Sequence, residues 1–484
     1  MRTPNNSLYE ITRWFLISFC ALGIASCTQK SEPKQAADLV ITGARVIDPG
    51  SKAVVDVADV VIDEGRIVAV GKQAARGFNA EQTIDGAGKH IVPAFADMHV
   101  HWGNGTIAES ENLVEQTLAR NLYYGVTRIL NMGSNAGSPA DIDSFRSKLA
   151  DGSWQGPKLY AVGTLFTVPG SHPTTTIFPP HIQQQIAKQV AAAPAQGPID
   201  LMPLRAITLV RSVEDVRTEV KRLATWGADA IKLTIESGPG PFGDDHPQMS
   251  EEIVRAAVEE ARAASIPVIA HVSSRDELDV CLRTGVDAAA HAIISGPIDG
   301  ELHKQMAVKP FFYVATLDIY DGFVNWSRAP ERMNDPFLRE TLTDQEAASM
   351  QGAAKMFARE QAYFGTSKLG LISDHVRDAQ RAGAVLLTGT DTGNPFAFPG
   401  YGLHQELRLM VQAGVAPMDA LAAATTNAAL FFKEEEQWGA INAGHAADLL
   451  ILDADPLADI MNTRRISHVI QNGVVIDRTK LRIR

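Results

Sequence analysis

The sequence predicts an α/β fold: a (β/α)8 TIM barrel inserted into a small β-sandwich domain built from both chain ends. Three observations carry this. Through the middle of the chain, short apolar runs alternate with helical patterns, the mark of βα units around a parallel sheet. About eight such runs occur, the number that closes a barrel. Both ends are instead made of short β-rich runs broken by Gly, Pro, Asp and Asn turns, so they share one character.

In chain order, residues 1–26 read as a signal peptide. Arg2 and Arg13 precede the apolar stretch that begins at Trp14, which is too short to span a bilayer. It ends in Ile24-Ala-Ser-Cys27, the pattern of a bacterial lipobox, so Cys27 is expected to carry lipid. Thr28 at the next position resembles outer-membrane sorting, which puts the protein on the periplasmic side of the outer membrane. Residues 27–37 are polar, lack apolar period and read as a tether. Residues 38–90 and 437–484 are expected to form the sandwich, with a hairpin turn at Asn472-Gly473.

Residues 91–436 are expected to form the barrel. Its candidate strands are 91–98, 127–131, 158–162, 228–233, 267–270, 287–290, 311–317 and 384–388. Gly125, Gly227, Gly285 and Gly383 stand where helices should end before the next strand. The clearest helix starts at Ser250, placed as its N-cap. The polar interval 318–378 should form a loop with helices over one barrel end. Cys20 leaves with the signal and Cys27 carries lipid, so Cys281 remains alone, read as a small buried hydrophobe.

Composition narrows the function classes. Hydrophobic residues make up 45% and charged ones 21%, which fits an ordinary globular protein and argues against disorder. Lys+Arg at 44 against Asp+Glu at 56 gives a net charge of −12 without a basic run, so nucleic acid is discounted as a partner.

The chemistry centres on Asp97-x-His99-x-His101 at the end of the first run. Residues two apart in a strand share a face, so these three should converge while Met98 and Val100 pack behind. Two imidazoles beside a carboxylate suit a metal of the zinc type. Alone, the pair is equally well read as hydrogen-bonded strand-end histidines. In a barrel, however, catalytic groups sit at the C-terminal strand ends, and later runs end in or carry Lys232, His271, His291 and Asp391. Each has a structural reading of its own: a snorkelling lysine, satisfied core histidines, a helix cap. Their joint placement favours a site.

With these residues in view, the chain resembles the amidohydrolase superfamily, in the branch related to imidazolonepropionase and the prolidase-like metal-dependent hydrolases. The resemblance rests on Leu39-Val-Ile-Thr-Gly-Ala-Arg-Val-Ile-Asp48, Asp97-Met-His-Val-His101, Gly227-Ala-Asp-Ala-Ile-Lys-Leu233, Ala270-His271, Ala290-His291 and Gly389-Thr-Asp391. Ala420-Leu-Ala-Ala-Ala-Thr-Thr-Asn-Ala-Ala429 and Gly444-His-Ala-Ala-Asp-Leu449 look like closing segments. One departure is Ala94, where relatives tend to have Gly.

The resemblance implies one metal on His99, His101 and Asp391 and a second on His271 and His291, bridged by Lys232 as a carbamate. Zinc is the default. If Lys232 stays unmodified, one metal on the histidine set with Asp391 is the alternative. Divalent ions lower the pKa of a bound water from about 15.7 to roughly 7, and Asp391 would act as general base and then acid. The expected reaction is attack of the resulting hydroxide on an amide-type C–N bond, in a cyclic amide or a dipeptide. Alternatives are lactones or organophosphate esters as substrates, or a non-catalytic binding lipoprotein on the same fold. For the pocket, His172 after the third strand and Tyr320 after the seventh are candidate substrate contacts. His404 is a further one, and Glu406 reads equally as a first-turn helix residue. The expected partners are a small molecule and, through Cys27, a membrane; self-association stays open.

Overall fold

The computed structural model describes residues 34–484 apart from 103–109, 203, 237–245, 297, 327 and 354–357. The signal peptide and Cys27 therefore lie outside the described residues. Among the described residues no helix is long and apolar enough to cross a membrane.

The chain opens with five strands: β1 (Gln35–Asp48), β2 (Ala53–Asp63), β3 (Arg66–Gly71), β4 (Phe78–Asp85) and β5 (His90–Pro93). β1 is long enough to serve several neighbours. One edge pairs with β2, and the other pairs first with β4 and then with β5. Because Gln35 already pairs with Phe78 and Ala37 is buried, residues 35–37 belong to the sheet and not to the expected tether.

The expected strand at 91–98 is two strands. β5 ends at Pro93, and β6 (Phe95–Val100) starts a second sheet with β7 (Val126–Asn131) and β8 (Lys158–Ala161). The change of sheet falls at Ala94, whose N–H donates to the Asp448 carbonyl, while the Phe95 N–H donates to that of Gly125. Both strands are buried, so the sequence reads as one apolar run. Residues 91–93 thus sit in the terminal sheet.

A third sheet follows. It contains β9 (Leu165–Thr167), β10 (Ile199–Asp200), β11 (Ile207–Leu209), β12 (Ile231–Thr234), β13 (Val268–His271), β14 (Ala288–Ala290), β15 (Phe312–Val314) and β16 (Val385–Leu387). Its order is β10-β11-β9-β12-β13-β14-β15-β16, parallel except for β10. β9, β10 and β11 were not expected, being too short for a period to show. Backbone hydrogen bonds link the two parallel sheets at both ends. Asp229 N–H donates to Ala161 on one side; on the other, Met98 N–H donates to Thr388 and Asp391 N–H to His99. Ala96, Met98, Leu130, Ala230, Ile269, Ala288, Ala290, Val314 and Leu387 share one core cluster, contributed by strands of both sheets.

The helices start and stop as the local chemistry requires. Ser250 caps the helix Glu251–Ala263 by accepting from the Ile253 N–H. Gly227 and Gly285 end their helices in the left-handed region, where a Cβ is disfavoured. After β15 come the helices Leu317–Asn325, Pro336–Arg339, Asp344–Ala353 and Ala358–Arg381. Cys281 is fully buried on Arg275–Thr284, and burial pushes its thiol pKa up.

Three last strands, β17 (Leu449–Leu452), β18 (Ile466–Gln471) and β19 (Val474–Val475), rejoin the opening ones. The ladder order is β19-β18-β17-β5-β1-β2-β3, with β4 also on β1. The ladders run through one hydrogen-bonded path because β1 pairs with β2, β4 and β5, with two register shifts near Ala44. Asn472 and Gly473 both have positive φ, as a tight hairpin turn demands. Arg128 on β7 meets this sheet by pairing with Asp448, under the ring of Trp438.

Candidate active site and metal centre

The two histidines of the opening motif face Asp391. His99 Nε2 lies 3.5 Å and His101 Nε2 3.3 Å from its Oδ1. Asp97 does not join them. Its Oδ1 accepts from the N–H groups of His99 (3.2 Å) and Thr390 (3.1 Å), and its Oδ2 from the Thr390 hydroxyl (2.7 Å). The reason is local: the β6–β7 register shifts between Asp97 and Val100, so simple alternation fails inside the motif. Asp97 instead ties β6 to the segment carrying Asp391. Burial pushes its carboxyl up to about 7, against the pull of those hydrogen bonds.

His291 comes to the same place by a different route. Ala288 and Ala290 lie in the shared core cluster, so alternation alone would turn His291 away. Its backbone is left-handed, with φ 77°, and its Nδ1 lies 3.9 Å from Asp391 Oδ2 and 3.1 Å from the Thr316 hydroxyl. Asp391 (φ 58°) and Thr316 (φ 50°) share this conformation. Such backbone costs about 1–3 kcal/mol per residue and persists where the surroundings over-determine it. Gly389 permits the approach: a Cβ there would stand 2.4 Å from Val314 Cγ1 and 2.8 Å from His99 Cβ.

Lys232, Thr234 and Glu236 follow one another at strand spacing, and all line the same cavity as the histidines. Lys232 is buried and, among the described residues, its Nζ has no hydrogen-bond partner. Glu236 Oε2 accepts from His271 Nε2 at 2.8 Å and lies 3.7 Å from His172 Nδ1. Glu236 escaped the sequence reading, which stopped at the strand end; the Lys232-x-Thr234-x-Glu236 alternation was the available signal. The cavity, of about 190 Å³, is otherwise mostly apolar and takes in Leu165, Ile177, Phe178, Phe323 and Phe364. His172 and Tyr320 line it as well. His404 does not: it is buried elsewhere, with Nδ1 on the Thr463 hydroxyl (2.9 Å) and Nε2 on the Tyr124 carbonyl (3.0 Å). Glu406 accepts from the Asp318 N–H at 2.8 Å and is likewise structural.

Residues 90–476 match the amidohydrolase family model. The chain belongs to the amidohydrolase family. It is 26% identical to an ochratoxinase of Aspergillus niger over 460 residues, 90% of this chain and 86% of that protein. It is 22% identical to an imidazolonepropionase of Geobacillus sp. (strain WCH70), covering 87% of this chain and 91% of that protein. Among solved structures, a prolidase complexed with N-methylphosphonate-L-proline superposes with a TM-score of 0.67 at 25% identity, covering 90% and 99% of the two chains.

An amidohydrolase is a metal-dependent hydrolase acting on C–N bonds, and the donors present suit a divalent ion. One group, His99, His291 and Asp391, offers three ligand atoms within 4.8 Å of one another. Burial, together with neighbouring positive groups, holds His99 and His291 well below the ordinary imidazole pKa, so both are neutral and each keeps a lone pair. His101 Nδ1 lies against the Gly133 carbonyl, the contact that fixes a ring and leaves Nε2 to coordinate. Burial pushes the Lys232 amine down to about 7, although Asp391 pulls the other way.

Proposed function

We propose that this amidohydrolase cleaves an amide-type C–N bond in a small cyclic amide or a dipeptide, with Asp391 as the proton carrier. The observation that carries the reading is the Asp391 carboxylate, faced by His99, His101 and His291 at 3.3–3.9 Å in the wall of a mostly apolar cavity. His99, His101 and Asp391 would hold one zinc; His271 and His291 would hold a second, with Lys232 between them as a carbamate. Bound metal would acidify water and polarise the scissile carbonyl. Asp391 takes the proton from the attacking water and passes it to the leaving nitrogen as the C–N bond breaks. His172 and Tyr320 contact the substrate from the cavity wall, and the apolar lining receives its apolar part. The ochratoxinase and prolidase names among its relatives favour amides over lactones or phosphoesters.

The same reading takes the two parallel sheets as a closed (β/α)8 barrel spanning residues 94–436. The terminal strands form the second domain, and the chain is held by lipid on Cys27 at the periplasmic face of the outer membrane.

Carboxylation of Lys232 needs the neutral amine, which attacks CO2, forms an N–C bond and releases one proton. With its pKa lowered to about 7, the amine is protonated below that value and neutral above it. Metal uptake by the stripped protein in bicarbonate is therefore expected to rise as pH passes upward through about 7. Lys232→Ala is expected to lose metal, and short carboxylates to restore part of it. Metal content unchanged in that variant would refute the bridge.

A further inference from the structure

The geometry points to an additional divalent-cation position, held by His172, Glu236 and His271 on the wall of the same cavity. One donor atom from each residue lies within 4.8 Å of the others, and this set shares no member with His99, His291 and Asp391. Glu236 Oε2 stands 2.8 Å from His271 Nε2 and 3.7 Å from His172 Nδ1, and the two rings are 4.6 Å apart. Neighbouring ligand atoms around a tetrahedral zinc lie about 3.4 Å apart. The two Glu236 separations, 2.8 and 3.7 Å, bracket that spacing, and an ion on His172 Nδ1 would displace the Thr176 hydroxyl that lies 2.7 Å from it.

Charge gives an independent reason. Glu236 and His172 are 4% and 7% exposed. Among the described residues, the ion-pair partners of Glu236 are these two histidines, and neither Arg nor Lys faces it. A buried carboxylate is ordinarily paired with a cation or bound to a metal, and an ion among these three side chains would be such a partner. A further nitrogen is at hand: His246 acts electrostatically on His172, and its buried Nε2 has no hydrogen-bond partner among the described residues.

Two nitrogens and one oxygen suit zinc, cobalt or manganese. The ion takes His271 through Nε2, the atom already turned to Glu236; for an ion beside His291 to use the other ring nitrogen as well, the ring would release its N–H proton to solvent and bridge the two as an imidazolate. It also changes what the cavity can bind. Lys232 is the sole Lys or Arg among the described lining residues, so this ion adds a positive charge able to meet a ligand carboxylate.

The site shares His271 with the second zinc of the proposed function, but its occupancy does not rest on the hydrolytic reading. The test is a cobalt(II) titration of the chelator-stripped full chain, read by visible absorption and by metal analysis after dialysis. Glu236→Gln and His172→Ala are each expected to bind one equivalent fewer than the wild type, whereas His99→Ala keeps that equivalent. Wild-type stoichiometry in His172→Ala overturns the proposal, even where Glu236→Gln binds more weakly, because Glu236 then merely orients the His271 ring. If Glu236→Gln fails to fold by circular dichroism, His172→Ala decides alone. Loss of hydrolysis in Asp391→Asn bears on the catalytic reading only and leaves this equivalent in place.

Discussion

Asp391→Asn is expected to lower kcat/KM for amide hydrolysis by about 10²–10⁴-fold, the contribution of a positioned general acid–base. Asn keeps the size of the side chain and one oxygen toward His99 and His101, but it cannot take a proton. The buried contacts that shape the turn are backbone ones: Asp391 N–H donates to the His99 carbonyl, and its own carbonyl accepts from the Asn394 side chain. The variant should therefore fold normally. Steady-state kinetics on a panel of dipeptides and cyclic amides, beside circular dichroism, checks both statements. A rate equal to the wild type would remove Asp391 from the chemistry.

The second large effect is on stability. Arg128→Met is expected to cost about 3–5 kcal/mol, the range for breaking one side of a buried ion pair. Arg128 and Asp448 side chains are 7% and 6% exposed, and Arg128 also lies 4.3 Å from the Trp438 ring centroid. Removing the guanidinium leaves Asp448 with the Asn472 N–H at 2.6 Å and no cation. Because Asp448 and Asn472 flank β17 and β18, the pair fastens the terminal sheet to β7. Urea unfolding measures the loss, and the double variant Arg128→Met, Asp448→Asn should recover much of it. A single variant as stable as the wild type would show that the pair contributes nothing to joining the sheets.

What could be read from the sequence depended on whether one residue's chemistry sufficed. Ser250, Gly227, Gly285 and Asn472-Gly473 each impose a local geometry, and each does so here. His99, His101 and Asp391 stood out for the same reason: polar residues ending buried apolar runs. What tertiary pairing decides was not legible. The change of sheet at Ala94 depends on the Asp448 carbonyl, more than 300 residues away. His291 enters the site through a left-handed backbone that no period reveals, and the role of Asp97 follows from a register shift. His404 looked like a cavity residue from its place after β16, but its helix turns it toward Tyr124 and Thr463.

Anomalous diffraction from crystals of the zinc-loaded protein, recorded at the metal edge, tests the central claim most directly. The account predicts one peak within bonding distance of His99, His101 and Asp391, and a second beside His271 and His291 with density extending from Lys232 Nζ. No peak at the Asp391 carboxylate, with zinc bound elsewhere on the chain, would contradict it.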